Sequence, residues 1–303
     1  MKSGQRVISV GDENITLGAY TIEVTHPDKM MYPEDGIAKR DVIEYYRRIS
    51  DVMLPHMKGR LVIMHRFPDG IDGKDFYHKE VPDYFPEWIK TRTIKLSEGG
   101  RQTLMIVEKT ADLVYLANQA CLVPHIWLST ENKVHHPNKI VFDLDPAGEG
   151  FDTVTMAAFM VRDIFAEEGL KPFVMTTGSA GLHVVIPIKP THDFDKVREY
   201  VRKRAQMLAD REPQKLTLET QKEKRGDRVF LDYLRNAYGQ TSVVPYALRA
   251  LRGAPVATPL EWDELHDSDL TPRSYTLSSI FRRLGNKEDP WKGMARNART
   301  LNV

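Results

Sequence analysis

The chain has 303 residues, 41% of them in the hydrophobic set and 28% charged, which supplies a sizeable core and excludes wholesale disorder. Its 43 basic and 42 acidic side chains leave a formal charge of +1, and its single cysteine, Cys121, excludes an internal disulfide or a cysteine zinc cage within the chain. No apolar run approaches the roughly 18 residues of a membrane span, and the start MKSGQRVISV lacks the apolar stretch of a signal peptide, so a soluble, intracellular protein is expected.

In chain order, residues 20–24 read as a strand and His26-Pro27-Asp28-Lys29 as a turn. Residues 39–54 predict a helix, because Val42, Ile43, Tyr46, Ile49 and Met53 recur at helical spacing, with Pro55 to stop it. Residues 61–64 and 103–107 are strand-like and 111–120 helical, with a loop predicted over 68–86 that holds Asp-Gly pairs and a cluster of aromatics. From residue 139 the pattern sharpens. An apolar strand (139–144) precedes an amphipathic helix (151–168) with Val154, Ala157, Ala158, Val161 and Ile164 on one face. Strands at 173–177 and 183–188 flank a Gly-Ser-Ala-Gly turn, and a helix (195–209) leads to a further strand (228–233). This order predicts an α+β protein with a mixed or largely antiparallel sheet, since a doubly wound sheet needs more helical crossovers. A working boundary near residue 138 separates lobes 1–138 and 139–303, which are free to interleave.

Asp143 and Asp145 close the 139–144 strand two residues apart, so both carboxylates leave the same face, about 6–7 Å from each other. Their repulsion is relieved by a divalent cation, or the pair is an ordinary solvated strand exit. Asp232 is a third carboxylate, set among apolar neighbours in RVFLDYLRN; it is either a further metal ligand or one half of a salt bridge to Arg228 or Arg235. The run Thr176-Thr177-Gly178-Ser179-Ala180-Gly181-Leu182-His183 is a hairpin turn, or a cradle whose amides and hydroxyls face an anion, with His183 pointing back toward it. It lacks the ending of a Walker loop. Arg235 and Arg249 are candidate clamps for a triphosphate. Residues 271–303 carry seven basic side chains against Glu288 and Asp289, which permits a polyanion but also suits a solvated surface segment.

The ordered set HPDK (26–29), RFPDGIDGKDFYHK (66–79), HIW (125–127), FDLDP (142–146), TTGSAGLHVVIP (176–187), FLDYLRN (230–236) and QTSVVPYALR (240–249) resembles the polymerase domain of bacterial ligase D and its archaeal relatives, in the archaeo-eukaryotic primase superfamily. The resemblance runs from about residue 20 to about residue 300. It implies a primase-like core with an RRM-like sheet, an N-terminal α/β subdomain packed against it, and a nucleotidyltransferase that extends primers during non-homologous end joining. By the same resemblance, Asp143, Asp145 and Asp232 hold two divalent ions, Mn²⁺ in preference to Mg²⁺, and NTPs are preferred to dNTPs. His125, Thr177, Ser179, His183, Arg235 and Arg249 fall on nucleotide-binding positions, and His26, Lys29 and Lys39 on a pocket for a downstream 5′-phosphate. Phe76 and Tyr77 match aromatics that stack on the template; composition alone would make them anchors from loop to core. Implied partners are DNA with gaps, overhangs or double-strand breaks, a DNA ligase and a Ku-like end-binding protein, in the cytoplasm or on the nucleoid, with no membrane.

Three positions depart from the family pattern: Ala180 replaces an expected lysine, Thr177 a serine, and His26 an asparagine. Nothing resembles the lysine motif of a ligase or a nuclease domain, so sealing and trimming fall to other proteins or to parts of a longer chain. Two other classes share these residues, an end-bridging module with weak catalysis and a metal-dependent phosphoesterase.

Overall fold

A computed structural model describes residues 14–95, 99–146 and 150–303. The chain opens with two short hairpins, β1 (Asn14–Leu17) with β2 (Tyr20–Glu23), and β3 (Met30–Tyr32) with β4 (Ile37–Ala38). Helix α1 (Lys39–Met57) buries the expected stripe of Val42, Ile43, Tyr46, Ile49 and Met53. It runs through Pro55 rather than stopping there. Proline's fixed φ is helical and costs only one amide donor, and in the last turn the Lys58 amide still closes onto the Leu54 carbonyl. Then come β5 (Leu61–Arg66), β6 (Phe76–His78), β7 (Thr91–Lys95), β8 (Arg101–Ile106), α2 (Thr110–Asn118) and β9 (Cys121–Trp127). The segment expected as a loop over 68–86 therefore contains a strand, β6, whose Phe76, Tyr77 and His78 pair with Arg66, His65 and Met64 of β5.

The second half contains β10 (Lys139–Asp145), α3 (Phe151–Glu167), β11 (Phe173–Thr176), β12 (Leu182–Pro187), α4 (Phe194–Arg211), β13 (Leu216–Thr217) and β14 (Val229–Asp232). Next come β15 (Thr241–Val243), β16 (Thr258–Leu260) and α5 (Ile280–Asn286). The six-stranded sheet runs β13-β14-β10-β12-β11-β16. Its β10-α3-β11-β12-α4-β14 unit, with the four strands antiparallel in the order β14-β10-β12-β11, is the βαββαβ arrangement of RRM-like and ferredoxin-like folds. The α+β class and the RRM-like sheet expected from the sequence are present.

Period-two alternation decides which side chains reach the site. Ile140, Phe142 and Leu144 of β10 pack with Leu182, Val184 and Ile186 of β12 and Leu231 of β14, against Val154, Ala157, Ala158 and Val161 of α3. At ~1.5–3 kcal/mol for each large apolar side chain fully buried, this layer fixes the register of β10 and with it the two aspartates on the other face. On that face Val141, Met175 and Val185 join a core built with Tyr46, Val62, Met64, Ile126 and Tyr246. The same core draws side chains from both sides of residue 138, and β15 crosses over to pair with β9 in the first large sheet, ordered β15-β9-β5-β8-β7 with β6 as a sixth strand on β5.

Candidate active site

Asp143 sits at the centre of the β14-β10-β12 ladder, directly opposite Asp232 on one neighbour and His183 on the other. His183 Nε2 lies 3.2 Å from Asp143 Oδ1, and Arg235 Nη2 donates to Asp143 Oδ2 at 2.7 Å. The same Arg235 nitrogen is 3.6 Å from Asp232 Oδ2, while the Arg235 amide donates to Asp232 Oδ1 at 3.2 Å. Arg228 instead bonds the Arg225 and Lys224 carbonyls. His183 thus sets one ring nitrogen on a carboxylate, while its Nδ1 is buried with no hydrogen-bond partner among the described residues.

Burial pushes the Asp143 carboxyl up, but His183, Arg235 and Arg249 outweigh it and hold it well below the usual carboxylate range. Burial, and next the neighbouring Asp143 charge, raise Asp145 above its ordinary value. Asp232 is raised by burial with a contribution from Asp143, only partly offset by Arg235. One carboxylate is locked ionised and the two beside it are desolvated and under-compensated. Among the described residues no three His, Cys, Asp or Glu side chains are close enough to hold a metal ion as they stand. The cation between Asp143 and Asp232 is Arg235.

The turn after β11 closes on itself. The Thr177 amide donates to the Gly181 carbonyl at 3.0 Å, and the Thr177 hydroxyl lies 3.1 Å from that carbonyl and 3.2 Å from the Gly181 amide. Thr177 therefore shapes the loop. Gly181 must be glycine, because a Cβ there would stand 1.9 Å from the Leu144 carbonyl oxygen and 3.1 Å from Asp145 Oδ1. The loop is pressed against the carboxylate end of β10. Arg249 Nη1 donates to the Thr177 carbonyl at 2.6 Å, and burial lowers its pKa. The segment bearing Arg249 is held by buried tyrosines, of which the sequence reading named only Tyr46, on a helical stripe: Tyr32 and Tyr45 donate to the Arg249 and Tyr246 carbonyls, and the Tyr46 hydroxyl accepts from the Leu248 amide.

His125 on β9 faces this cluster. Burial first, and then the charges of Arg249, His65, Arg235 and His183, push its pKa down to about 3, so its imidazole is neutral. Sequence reading missed His65, the cross-strand partner of Tyr77, which stacks on the Tyr77 ring at 4.1 Å and pairs with Asp75. Its signal was the residue immediately before the aromatic motif 66–79. Phe76 and Tyr77 are 43% and 53% exposed, so they are not the loop-to-core anchors that composition suggests. The Arg66 guanidinium lies 5.6 Å over the Phe76 ring.

At the start of α1, His26, Lys29 and Lys39 come together around one turn. The Lys39 and Arg40 amides donate to the Lys29 and Pro27 carbonyls, so these first helical amides are already used. Lys39 Nζ is bonded to the Thr25 carbonyl and hydroxyl, and burial pushes its pKa down to about 8. Lys29 pairs with Asp69 at 2.7 Å, and His26 is exposed with a left-handed φ of 50°.

The family described as LigD, primase-polymerase domain, matches residues 38–291. The chain is 33% identical over 272 residues to the multifunctional non-homologous end joining protein LigD of Mycolicibacterium smegmatis, covering 88% of this chain and 35% of that protein. It is 29% identical over 278 residues to the bifunctional non-homologous end joining protein LigD of Bacillus subtilis, covering 91% and 44%. The chain thus spans less than half the length of these relatives. Its fold is similar to the polymerase domain from Mycobacterium tuberculosis ligase D in complex with DNA, with a TM-score of 0.85 at 30% identity, covering 91% of this chain and 99% of that one. No helix among the described residues is long and apolar enough to cross a membrane. A sheet face carrying Asp143, Asp145 and Asp232, a glycine-bearing turn against them, and these matches lead to one assignment: the chain belongs to the LigD primase-polymerase domain family.

Proposed function

We propose that this chain is a template-directed nucleotidyltransferase that adds nucleotides, ribonucleotides in preference, to a primer 3′-hydroxyl at gaps and broken DNA ends in non-homologous end joining. The observation that carries the reading is the direct pairing of Asp143 with Asp232 and His183, with the phosphate-type loop packed on the end of the same strand. The DNA in the M. tuberculosis polymerase-domain complex and the end-joining role of the relatives supply substrate and context.

The donor set suits divalent ions. Asp143, Asp145 and Asp232 offer hard carboxylate oxygens on one sheet face, and two of the three are desolvated without a full countercharge. They would hold Mn²⁺ or Mg²⁺, which when bound supplies charge neutralisation at the triphosphate and acidifies the attacking hydroxyl. Arg235 must then yield part of its hold on Asp143. His183 keeps Asp143 oriented, Arg249 beside the loop and Ser179 within it would face a triphosphate, and neutral His125 can donate to a ribose or phosphate oxygen without repelling a cation. Lys29 and Lys39 with His26 form the candidate grip on a downstream 5′-phosphate, and Phe76 and Tyr77 offer ring faces to unpaired template bases. A Ku-like protein and a ligase complete the proposed pathway, in the cytoplasm or on the nucleoid.

The test is extension of a primer across a short gap carrying a downstream 5′-phosphate, comparing NTPs with dNTPs, Mn²⁺ with Mg²⁺, and wild type with Asp143→Asn. Templated addition that the variant loses, and that weakens without the 5′-phosphate, is the expected result. Tight gap binding with no extension would leave an end-bridging module, and release of mononucleotides without a template would leave a phosphoesterase.

A further inference from the structure

The turn Thr177–Gly181 has hydroxyls and amides but no cation of its own, because its fourth residue is Ala180. Two guanidiniums bracket it from outside. Arg249 holds the Thr177 carbonyl, and Arg273, nearly a hundred residues further along the chain, donates from Nε to the Ser179 carbonyl at 2.9 Å. Arg273 is itself set by a hydroxyl turn, its amide donating to Thr271 Oγ1 at 3.3 Å while the Thr271 amide donates to Ser274 Oγ at 2.8 Å. Nε is committed to Ser179, and among the described residues the two terminal guanidinium nitrogens make no hydrogen bond or ion pair. Arg273 also lines an open cleft of about 280 Å³ whose other walls include Pro146, Phe151, Ser179 and Ala180. Pro146 directly follows Asp145, so the cleft begins at the carboxylate site. Its volume falls just below the roughly 300–1,000 Å³ of whole-ligand sites, which suits the tail of a nucleotide rather than the whole.

We propose that Arg273 binds the outer phosphates of the incoming nucleoside triphosphate, supplying from the C-terminal segment the cation that the loop lacks at Ala180. This rests on the polymerase reading of the site. A guanidinium presents parallel donors that match phosphate oxygens, and its attachment to the loop backbone holds it in place before the ligand arrives.

The experiment titrates the whole chain with ATP and with AMP in buffer containing Mn²⁺, and separately with gapped DNA. Arg273→Gln is expected to weaken ATP about tenfold, the scale of one charge-assisted contact, while AMP and DNA affinities and the melting temperature stay as in wild type. Ala180→Lys added to Arg273→Gln is expected to restore ATP affinity, because it returns a cation to the same cleft from within the loop. Unchanged ATP affinity, an equal loss for AMP, or a loss confined to DNA would overturn the proposal. A loss that Ala180→Lys does not restore would also overturn it, by assigning Arg273 to holding the loop alone. The titration needs no template, so it reads Arg273 even where the wild-type chain extends no primer, a result that counts against the polymerase reading alone.

Discussion

Asp143 and Asp232 stand directly opposite each other across the β10–β14 ladder, and one guanidinium, that of Arg235, answers both. Facing carboxylates on adjacent strands are ordinarily destabilising. Here a side chain that enters from the turn after β14 offsets the repulsion, so the two carboxylates face each other with one of the protein's own cations between them.

Arg235→Gln removes that countercharge. In the presence of a chelator the variant should lose ~1–3 kcal/mol, a drop of several degrees in melting temperature, because two partly buried carboxylates are left facing each other. Added Mn²⁺ should recover more stability in the variant than in wild type. Thermal melts with and without the metal check both statements, and a variant that melts like wild type under chelation would refute the first.

Gly181→Ala places a methyl carbon in the Leu144 carbonyl, a clash that only separation of β10 from the loop can relieve. A loss above ~3 kcal/mol or failure to accumulate soluble protein is expected. Gly285→Ala is the control. That glycine lies in α5 with open space around it, so the change should stabilise by ~0.5–1 kcal/mol. Denaturant melts of the two variants measure the contrast.

Phe76→Ala and Tyr77→Ala should separate binding from folding. Both rings are largely exposed, so stability changes little, whereas each lost stacking contact should weaken binding of DNA with a single-stranded template by ~1–3 kcal/mol. Fluorescence anisotropy with gapped and fully duplex DNA reads this, with the loss confined to the gapped substrate.

Glu264 ties α5 to the body of the chain, accepting from Arg283 at 2.5 and 2.8 Å and lying 2.9 Å from Lys287. Burial pushes its carboxyl up, but hydrogen bonds from Arg283, the Glu261 amide and Lys287 together outweigh this and bring the pKa from 4.5 down to about 2. A folded-state pKa below the unfolded one gives stability that is complete above about pH 4.5 and lost as pH falls toward 2. Melting temperatures of wild type should therefore fall more steeply between pH 5 and 3 than those of Glu264→Gln, which has no proton to take up at this position.

The βαββαβ unit was legible because its periods are clean. Alternation along Ile140, Phe142 and Leu144 and the helical stripe from Val154 to Ile164 each serve one buried face. The first sheet was harder to read. Its interior strand β9 carries Pro124, which argues against an interior strand, yet the β15 ladder reaches only His125 and the site of the missing amide is tolerated. Strand β6 is three residues long and preceded by two Asp-Gly pairs, so its pairing to β5 is set by tertiary contact rather than by local preference. Among the site residues, Asp143 and Asp145 follow from strand geometry. The bridge from Arg235 and the approach of Arg273 to Ser179 join residues 92 and 94 positions apart, and no local pattern encodes such contacts.

One apolar core gathers Val141, Met175 and Val185 with Tyr46, Val62 and Ile126, and a strand from the second half completes the first sheet. A hinge near residue 138 would have to tear that core, so the two halves cannot open and close like jaws. Rearrangement is therefore left to side chains and loops at the rim, and heat should melt both halves in one cooperative step.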